Sequence, residues 1–489
     1  MPSRRKILGI GASLVALGSL APYAGLVAGP RLSTKRPRPP SRPNPLVQST
    51  KVEFDLHAKV RPTRLFGTKE LPLWTYHDDL LPVITVPKGG RLRTTLRNSL
   101  PEHTSVHWHG IRLPNDMDGV PYVTQQPVDP GQSHVYDFVV PDAGLFPFHS
   151  HCNTAAQLGR GLAGALVVTG DETRPYDADL MCVIKDWHLG EDAGFTKFSE
   201  DKGASRAGTF GSTRSVNLEK LPTLEAPAGG YTRLRLMNVD NSRVHQIGLE
   251  GAEAAVIATD GQAVAPFPFE TWRLGSAMRI DLCVRMPPPG KDVRIYDYFA
   301  PEPVLLAIIK SVGADLRVGD FEPIPLWASD IPEPDLKHAI FKRIEFSATA
   351  KASPKIRSDS GELAQALADS LCLSDKSFWA MNKTTWPGDG HKKLPAPILE
   401  LKQNQTYVFE LVNATPHMHP IHIHGHTFLY LKSSKKSLPK HFTDTVLLKP
   451  KERIHVAFKA DNPGDWMFHC HIIEHAETGM MSILRVAPA

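Results

Sequence analysis

The feature that most constrains this chain is a duplication of its first third in its last third. Residues 82–110 fall on residues 397–425 without a gap, so that Asn98 meets Asn413, Pro101 meets Pro416, His107 meets His422, His109 meets His424 and Gly110 meets Gly425. A second block sets Gly144, Phe146, Phe148, His149 and His151 on Gly464, Trp466, Phe468, His469 and His471. A weaker third copy runs from Pro227 through Gly230 and Leu236 to Asn238, with Ile247, Gly248 and Leu249 where the first copy has His107, Trp108 and His109. Self-similarity in a fixed register is the signature of one structural unit used repeatedly. The middle copy keeps the unit and lacks the histidines.

Outside its N-terminus the chain consists of short alternating or β-branched apolar runs punctuated by Pro, Gly, Asn and Asp, a pattern that gives strands and turns rather than helices. The expected fold is all-β, with three consecutive Greek-key β-sandwich or barrel domains at 46–171, 178–320 and 340–489. Asp- and Pro-rich linkers fall near 174–176 and 331–335. Residues 362–371 are the main candidate for a helix or surface insertion.

The net charge of +5 does not describe the folded body. Residues 1–50 hold eight Arg or Lys and no acid, which leaves 48 basic against 51 acidic residues beyond them. No basic stripe remains to serve nucleic acid, and that class of function is set aside. Arg4 and Arg5, followed by an apolar stretch over 7–27, predict a twin-arginine-type export signal and a periplasmic location. Gly, Ser and Pro22 within the stretch disfavour a lasting membrane span. Six prolines between 30 and 45 then predict an extended tether, so residues 1–45 stand outside the fold. The five cysteines, Cys152, Cys182, Cys283, Cys372 and Cys470, are scattered and odd in number, which argues against a disulfide framework.

Chemistry concentrates in four clusters: His107-Trp108-His109, His149-Ser150-His151, His419-Pro420-Ile421-His422-Ile423-His424, and His469-Cys470-His471 followed by His475 and Met480. In a strand, His-x-His places both imidazoles on one face. A single pair could be solvated or satisfied in a core, but four in duplicated registers supply eight convergent nitrogens. One thiolate, two imidazoles and a weak thioether, here Cys470, His419, His475 and Met480, describe a blue-copper electron-transfer site. Zinc also takes Cys and His, but its usual Cys-x-x-Cys spacing is absent. Strand parity turns Cys470 away from His469 and His471, so one peptide bridges two metal sites. His419 has opposite parity to His422 and His424, which assigns it to the Cys470 side.

These residues resemble the copper motifs of three-domain bacterial multicopper oxidases of the laccase type, built from cupredoxin-like domains, over nearly all of 46–489. The resemblance implies four copper ions. Cys470, His419, His475 and Met480 would hold the type 1 copper, and His107 and His422 the type 2 copper. His109, His149, His151, His424, His469 and His471 would hold the type 3 pair. It further implies one-electron oxidation of phenolic or aromatic donors, coupled to reduction of dioxygen to water at a trinuclear cluster between the first and third domains. Catalytic roles fall on Cys470, on His475 as the exposed edge facing donors, and on Asp118 as an acid near the cluster. The acid that many relatives carry directly after the second type 1 histidine is replaced by Ala476, leaving Glu474 and Glu477 as substitutes.

The alternatives are a metallo-oxidase for Cu(I), Fe(II) or Mn(II), and a periplasmic copper-sequestering protein. The eleven methionines form no cluster beyond Met480-Met481, which argues against a dedicated Cu(I) oxidase, although Met418 adjoins His419. Asp444, between two threonines, is expected near the type 1 site or as a turn cap. The protein is expected to act as a monomer on dioxygen and small-molecule or metal-ion donors.

Overall fold

The computed structural model describes residues 38–42, 50–67, 69–317, 319–348, 377–387 and 394–488. The expected export signal, most of the tether, the candidate helix at 362–371 and Cys372 lie outside these residues. Strand is the dominant regular structure of the described chain, with short α-helices at Thr154–Gly159, Asp201–Ala204 and Ile473–Glu477. None is long and apolar enough to cross a membrane.

The strands form six sheets that sort into three pairs along the chain. In the first pair, Glu70–Thr75, Lys51–Arg64, Arg91–Ser99 and Ser133–Val139 form one sheet. Val83–Pro87, Ala163–Thr169, Gly144–His149 and His107–Trp108 form the other. The middle and last pairs each have six strands in one sheet and five in the other. Two parallel pairings recur in every pair. One aligns Lys51 with Arg91, Ala178 with Thr232, and Ile340 with Tyr407. The other aligns Val83 with Ala165, Thr223 with Ile308, and Leu399 with Leu484. Parallel neighbours cannot be joined by a tight hairpin, so each unit must cross from sheet to sheet. The result is the all-β, Greek-key architecture expected from the sequence.

The repeated asparagine has a concrete task. Asn98 Nδ2 donates to the carbonyls of Glu102 and Val128 while its Oδ1 accepts the Leu100 N–H. Asn413 does the same with His417, Lys449 and Thr415, and Asn238 with Arg243, Leu274 and Asp240. Each ends a strand and satisfies backbone groups that the turn would otherwise leave buried and unpaired. The two outer copies then lead into the first histidine pairs.

Alternation builds the cores. Along Arg91–Ser99 the residues Leu92, Thr94, Leu96 and Asn98 face inward while their neighbours face outward or half-outward. One continuous apolar cluster runs from Leu92, Trp108 and Phe148 to Phe428, Trp466 and Phe468, joining the first and last pairs of sheets. The middle pair has its own core around Leu234, Ile247, Ile280 and Leu282. A site on the joint between first and last pairs is therefore walled by well-packed strands.

The middle pair also buries charge. His245 lies between Asp240 (2.7 Å) and Asp297 (2.8 Å), whose hydrogen bonds and charges outweigh its desolvation and raise its pKa to about 9. Because the folded value exceeds the ordinary one near 6.5, the imidazolium stabilises the fold fully below pH ~6.5 and loses that contribution as pH rises through about 9. Stability should therefore decline by roughly 3 kcal/mol between these limits. His245→Gln should flatten the decline, and an unchanged slope in denaturant titrations across that window would refute the assignment.

Candidate metal centre

Two strand pairings bring the histidine clusters into register. His107 pairs with His149 and Trp108 with Phe148, while Ile421 pairs with Cys470 and His422 with His469. The rings of the two halves interleave: His107 stacks on His424 and His109 on His422, each with centroids 3.8 Å apart. Gly110 and Gly425 follow these pairs with φ of +80° and +64°. A Cβ at Gly110 would meet Asp444 Oδ2 at 2.2 Å, and one at Gly425 would meet Trp466 at 2.3 Å. The duplicated glycine is thus required by backbone conformation and by close approach.

The hydrogen bonds select which nitrogen of each ring faces inward. Nδ1 of His107, His149, His422 and His469 is engaged by the carbonyls of Asp118, Ser150, Asp444 and Cys470. His424 Nδ1 lies 2.8 Å from Asp118 Oδ2, and His471 Nδ1 lies 3.1 Å from Ser276 Oγ. His109 is reversed, with Nε2 held by Asp444 Oδ1 at 3.0 Å. What remains is a buried set with no hydrogen-bond partner among the described residues, namely Nε2 of His107, His149, His422 and His471 and Nδ1 of His109. His424 Nε2 and His469 Nε2 face each other at 3.0 Å, and ligand nitrogens of His151, His424 and His469 lie within 4.8 Å of one another. Anchoring the outer nitrogen and leaving the inner one bare is how proteins orient imidazole for a metal.

The electrostatics agree. Burial, reinforced by neighbouring rings, holds His109, His151, His422, His424 and His471 well below the ordinary imidazole value, and His149 near about 3. These rings are neutral at physiological pH, the form in which imidazole binds metal.

Below this cluster, Cys470 Sγ lies 3.6 Å from Nδ1 of both His419 and His475, and those two nitrogens are 3.0 Å apart. The outer nitrogens are again tied: His419 Nε2 to Thr415 Oγ1 at 2.7 Å, and His475 Nε2 to the Arg206 carbonyl at 2.9 Å. Met480 is fully buried in the same core, its backbone bonded to Cys470 and His475. Burial pushes the Cys470 thiol upward, so a thiolate here requires a cation. One sulfur and two imidazoles suit copper, and the eight-imidazole cluster suits further copper ions.

Three expectations change. His475 presents no exposed edge: it is fully buried beneath the Arg206 carbonyl and Trp379, whose indole lies 4.5 Å away and donates to the Ala204 carbonyl. Asp444 is not beside Cys470. It is buried against the other cluster, where it holds His109 and accepts Arg279 Nη2 at 2.7 Å. Glu474 is buried and engaged by the Glu200 and Thr209 amides and the Thr209 and Ser242 hydroxyls. Glu477 accepts the Ala155 amide at 3.0 Å, and burial raises its carboxyl to about 7.

Asp118 occupies the expected neighbourhood, with Oδ2 on His424 and Oδ1 3.3 Å from His107 Nδ1. Burial pushes its pKa up, and His107 opposes the rise. Asp118→Asn should keep the fold and weaken metal retention by about 10–100-fold, the usual cost of losing a carboxylate behind a ligating histidine. Copper content after dialysis against a graded chelator measures this.

Sequence reasoning missed Ser276, Arg279, Thr415 and Trp379. Arg279 alone left a signal, as a cation within the run Ala277-Met278-Arg279-Ile280.

An all-β molecule with a thiol-imidazole site one peptide from an imidazole cluster belongs to the copper proteins built on cupredoxin-like units. Models of multicopper oxidase domains match residues 60–173, 179–308 and 369–489. The chain belongs to the multicopper oxidase family, whose members are copper-binding oxidoreductases. It is similar to a multi-copper oxidase from Pseudomonas thermotolerans, 37% identical with a TM-score of 0.79 over 90% of this chain and 100% of that one. A multi-copper oxidase from Pseudomonas parafulva is 36% identical, with a TM-score of 0.75 over 89% and 100%. A multicopper oxidase from Mycobacterium tuberculosis is 27% identical over 433 residues, covering 82% of this chain and 81% of that one.

Proposed function

We propose that this protein is a laccase-type oxidase that takes single electrons from phenolic or aromatic donors and passes them to dioxygen, giving water. The observation that carries the reading is the peptide 469–471, whose central thiol belongs to one ligand set and whose flanking imidazoles belong to the other. Four coppers would complete it: type 1 on Cys470, His419, His475 and Met480, type 2 on His107 and His422, and a type 3 pair on His109, His149, His151, His424, His469 and His471. When bound, copper supplies one-electron acceptance at the first site and dioxygen reduction at the others.

The chain's own residues do the rest. Trp379, the Arg206 carbonyl and the 201–209 segment exclude water from His475, and Asp118 holds a proton-exchanging carboxyl behind the cluster. Glu477, at about 7, is a second carboxyl suited to proton supply. The same reading divides the chain at 46–171, 178–320 and 340–489, a division supported by the three sheet pairs, and has the protein exported to the periplasm as a monomer.

A metal-ion donor needs ligating side chains near His475, and the adjacent Glu474 is already consumed by four donors. A phenol needs only contact. Oxygen uptake by the copper-loaded enzyme with a dimethoxyphenol, in parallel with Cu(I), Fe(II) and Mn(II), tests the choice. Fast uptake with the phenol is expected. Uptake with a metal ion alone would make the protein a metallo-oxidase, and none with any donor would favour copper sequestration.

A further inference from the structure

A cavity of about 250 Å³ opens between the middle and last pairs of sheets, and no residue of either ligand set lines it. It lies beside Thr271–Leu274 on one side and Phe428–Ser433, His441–Thr443 and Thr445–Leu448 on the other. Four cations line it: Arg279 is paired with Asp444, while Arg273, Lys436 and Lys449 make no ion pair with a described residue. Arg273 spends its guanidinium on Gln246 Oε1, Met418 Sδ and the face of Phe299, and among the described residues Lys436 Nζ donates only to the Leu447 carbonyl. The acid near Lys436, Glu452, is taken by the Ser433 hydroxyl and the Lys449 amide. On the floor, Asp260 is occupied by the Thr443 hydroxyl and the Arg279 amide.

Unpaired cations crowded in a partly desolvated space repel one another, and an anion relieves them. Burial pulls the Lys436 ammonium down to about 8; Glu452 opposes the fall, and Lys449 and Arg273 add to it. One further donor awaits an acceptor, because Trp272 Nε1 is buried without a hydrogen-bond partner among the described residues. The walls are aromatic: Tyr430 stacks on His441 with centroids 4.9 Å apart at 19°, and Trp272 meets the same ring edge-on. The volume lies below the ~300–1,000 Å³ typical of drug-sized ligand sites, which limits the guest to about one ring.

We propose that this cavity is a binding site for a small aromatic carboxylate, its anion held by Arg273, Lys436 and Lys449 and its ring seated against Trp272 and Tyr430. The site lies behind Thr443 and Thr445, whose neighbour Asp444 holds His109, so an occupant would touch the scaffold of the imidazole cluster without contacting a ligand.

Titration calorimetry on the copper-loaded enzyme tests this without requiring turnover, using benzoate, its neutral counterpart benzamide, and sulfate. Benzoate should bind once per chain, benzamide not at all, and sulfate more weakly than benzoate. Arg273→Gln and Lys436→Gln should each weaken benzoate by about tenfold, the usual loss for one charge-assisted hydrogen bond. Lys436→Arg, which keeps the charge, should retain binding and so separates loss of the site from loss of the fold. The proposal is overturned if benzoate gives no binding heat, if the Gln variants bind it as the parent does, or if sulfate or benzamide binds as tightly as benzoate.

Discussion

Cys470→Ser should leave a folded protein that has lost its visible blue absorption and, with it, oxidation of every donor. Serine keeps the backbone pairing of Cys470 with Ile421 and almost the same volume, so the strand Gly464–Cys470 has no reason to move. A hydroxyl in place of the thiol 3.6 Å from both imidazoles offers a hard, neutral oxygen that copper does not favour. Turnover should fall by on the order of 10³-fold or more, as for groups that act as an obligatory unit. The eight-imidazole cluster should keep its copper, because no nitrogen in it depends on the sulfur. Copper content, paramagnetic resonance and oxygen uptake on one preparation separate these effects. A variant that stays blue, or that oxidises donors at the parental rate, would remove Cys470 from the proposed path.

Arg279→Met carries the largest expected effect on stability. Arg279 is fully buried, and all three guanidinium nitrogens are engaged: Nε with the Leu145 carbonyl, Nη1 with the Ala277 carbonyl and Asp444, Nη2 with the Asp260 carbonyl and Asp444. Leu145 lies in the first pair of sheets, Ala277 and Asp260 in the middle, and Asp444 in the last, so one side chain ties three units together. Removing it leaves Asp444 buried without its cation, a loss of about 3–5 kcal/mol. Asp260, already raised to about 7 by burial and the charge of Asp444, loses the same counterion. Denaturant midpoints compared with the parent report the cost, and a change under about 1 kcal/mol would show that packing alone, not charge, holds this joint. Because Asp444 orients His109, copper retention should decline in parallel.

The convergence of the histidine rings was legible in the sequence because strand parity is rigid. His419 falls on the Cys470 side, and the His-x-His pairs converge on the other, as a period of two requires. The unit's repetition was legible for a similar reason: Asn98, Asn238 and Asn413 perform one local task, and local tasks leave fixed spacings. Contacts between distant segments left no such mark. His475 was expected at the surface, yet residues 201–209 and Trp379 arrive from elsewhere in the chain to cover it. Asp444 was placed on the wrong side because Thr443-Asp444-Thr445 resembles any turn, and only its pairing with Arg279 reveals its position. The cation-lined cavity drew on Arg273, Lys436 and Lys449, which the sequence gives no reason to group.

The interleaving of rings from the two ends of the chain also sets an order of events during biosynthesis. His109 and the Asp444 that orients it are 335 positions apart, and the stacks of His107 on His424 and His109 on His422 cannot form until both have been made. A ribosome adds about 5–20 residues per second and N-terminal segments fold first, so His107, His109, His149 and His151 wait many seconds as an incomplete, strongly chelating half-site. Metal reaching the nascent chain would find ligands with no fixed partners, whereas metal reaching the finished molecule would find them anchored. The complete set of facing rings therefore exists only once residues 419–475 have been made and have folded against the first histidine pairs.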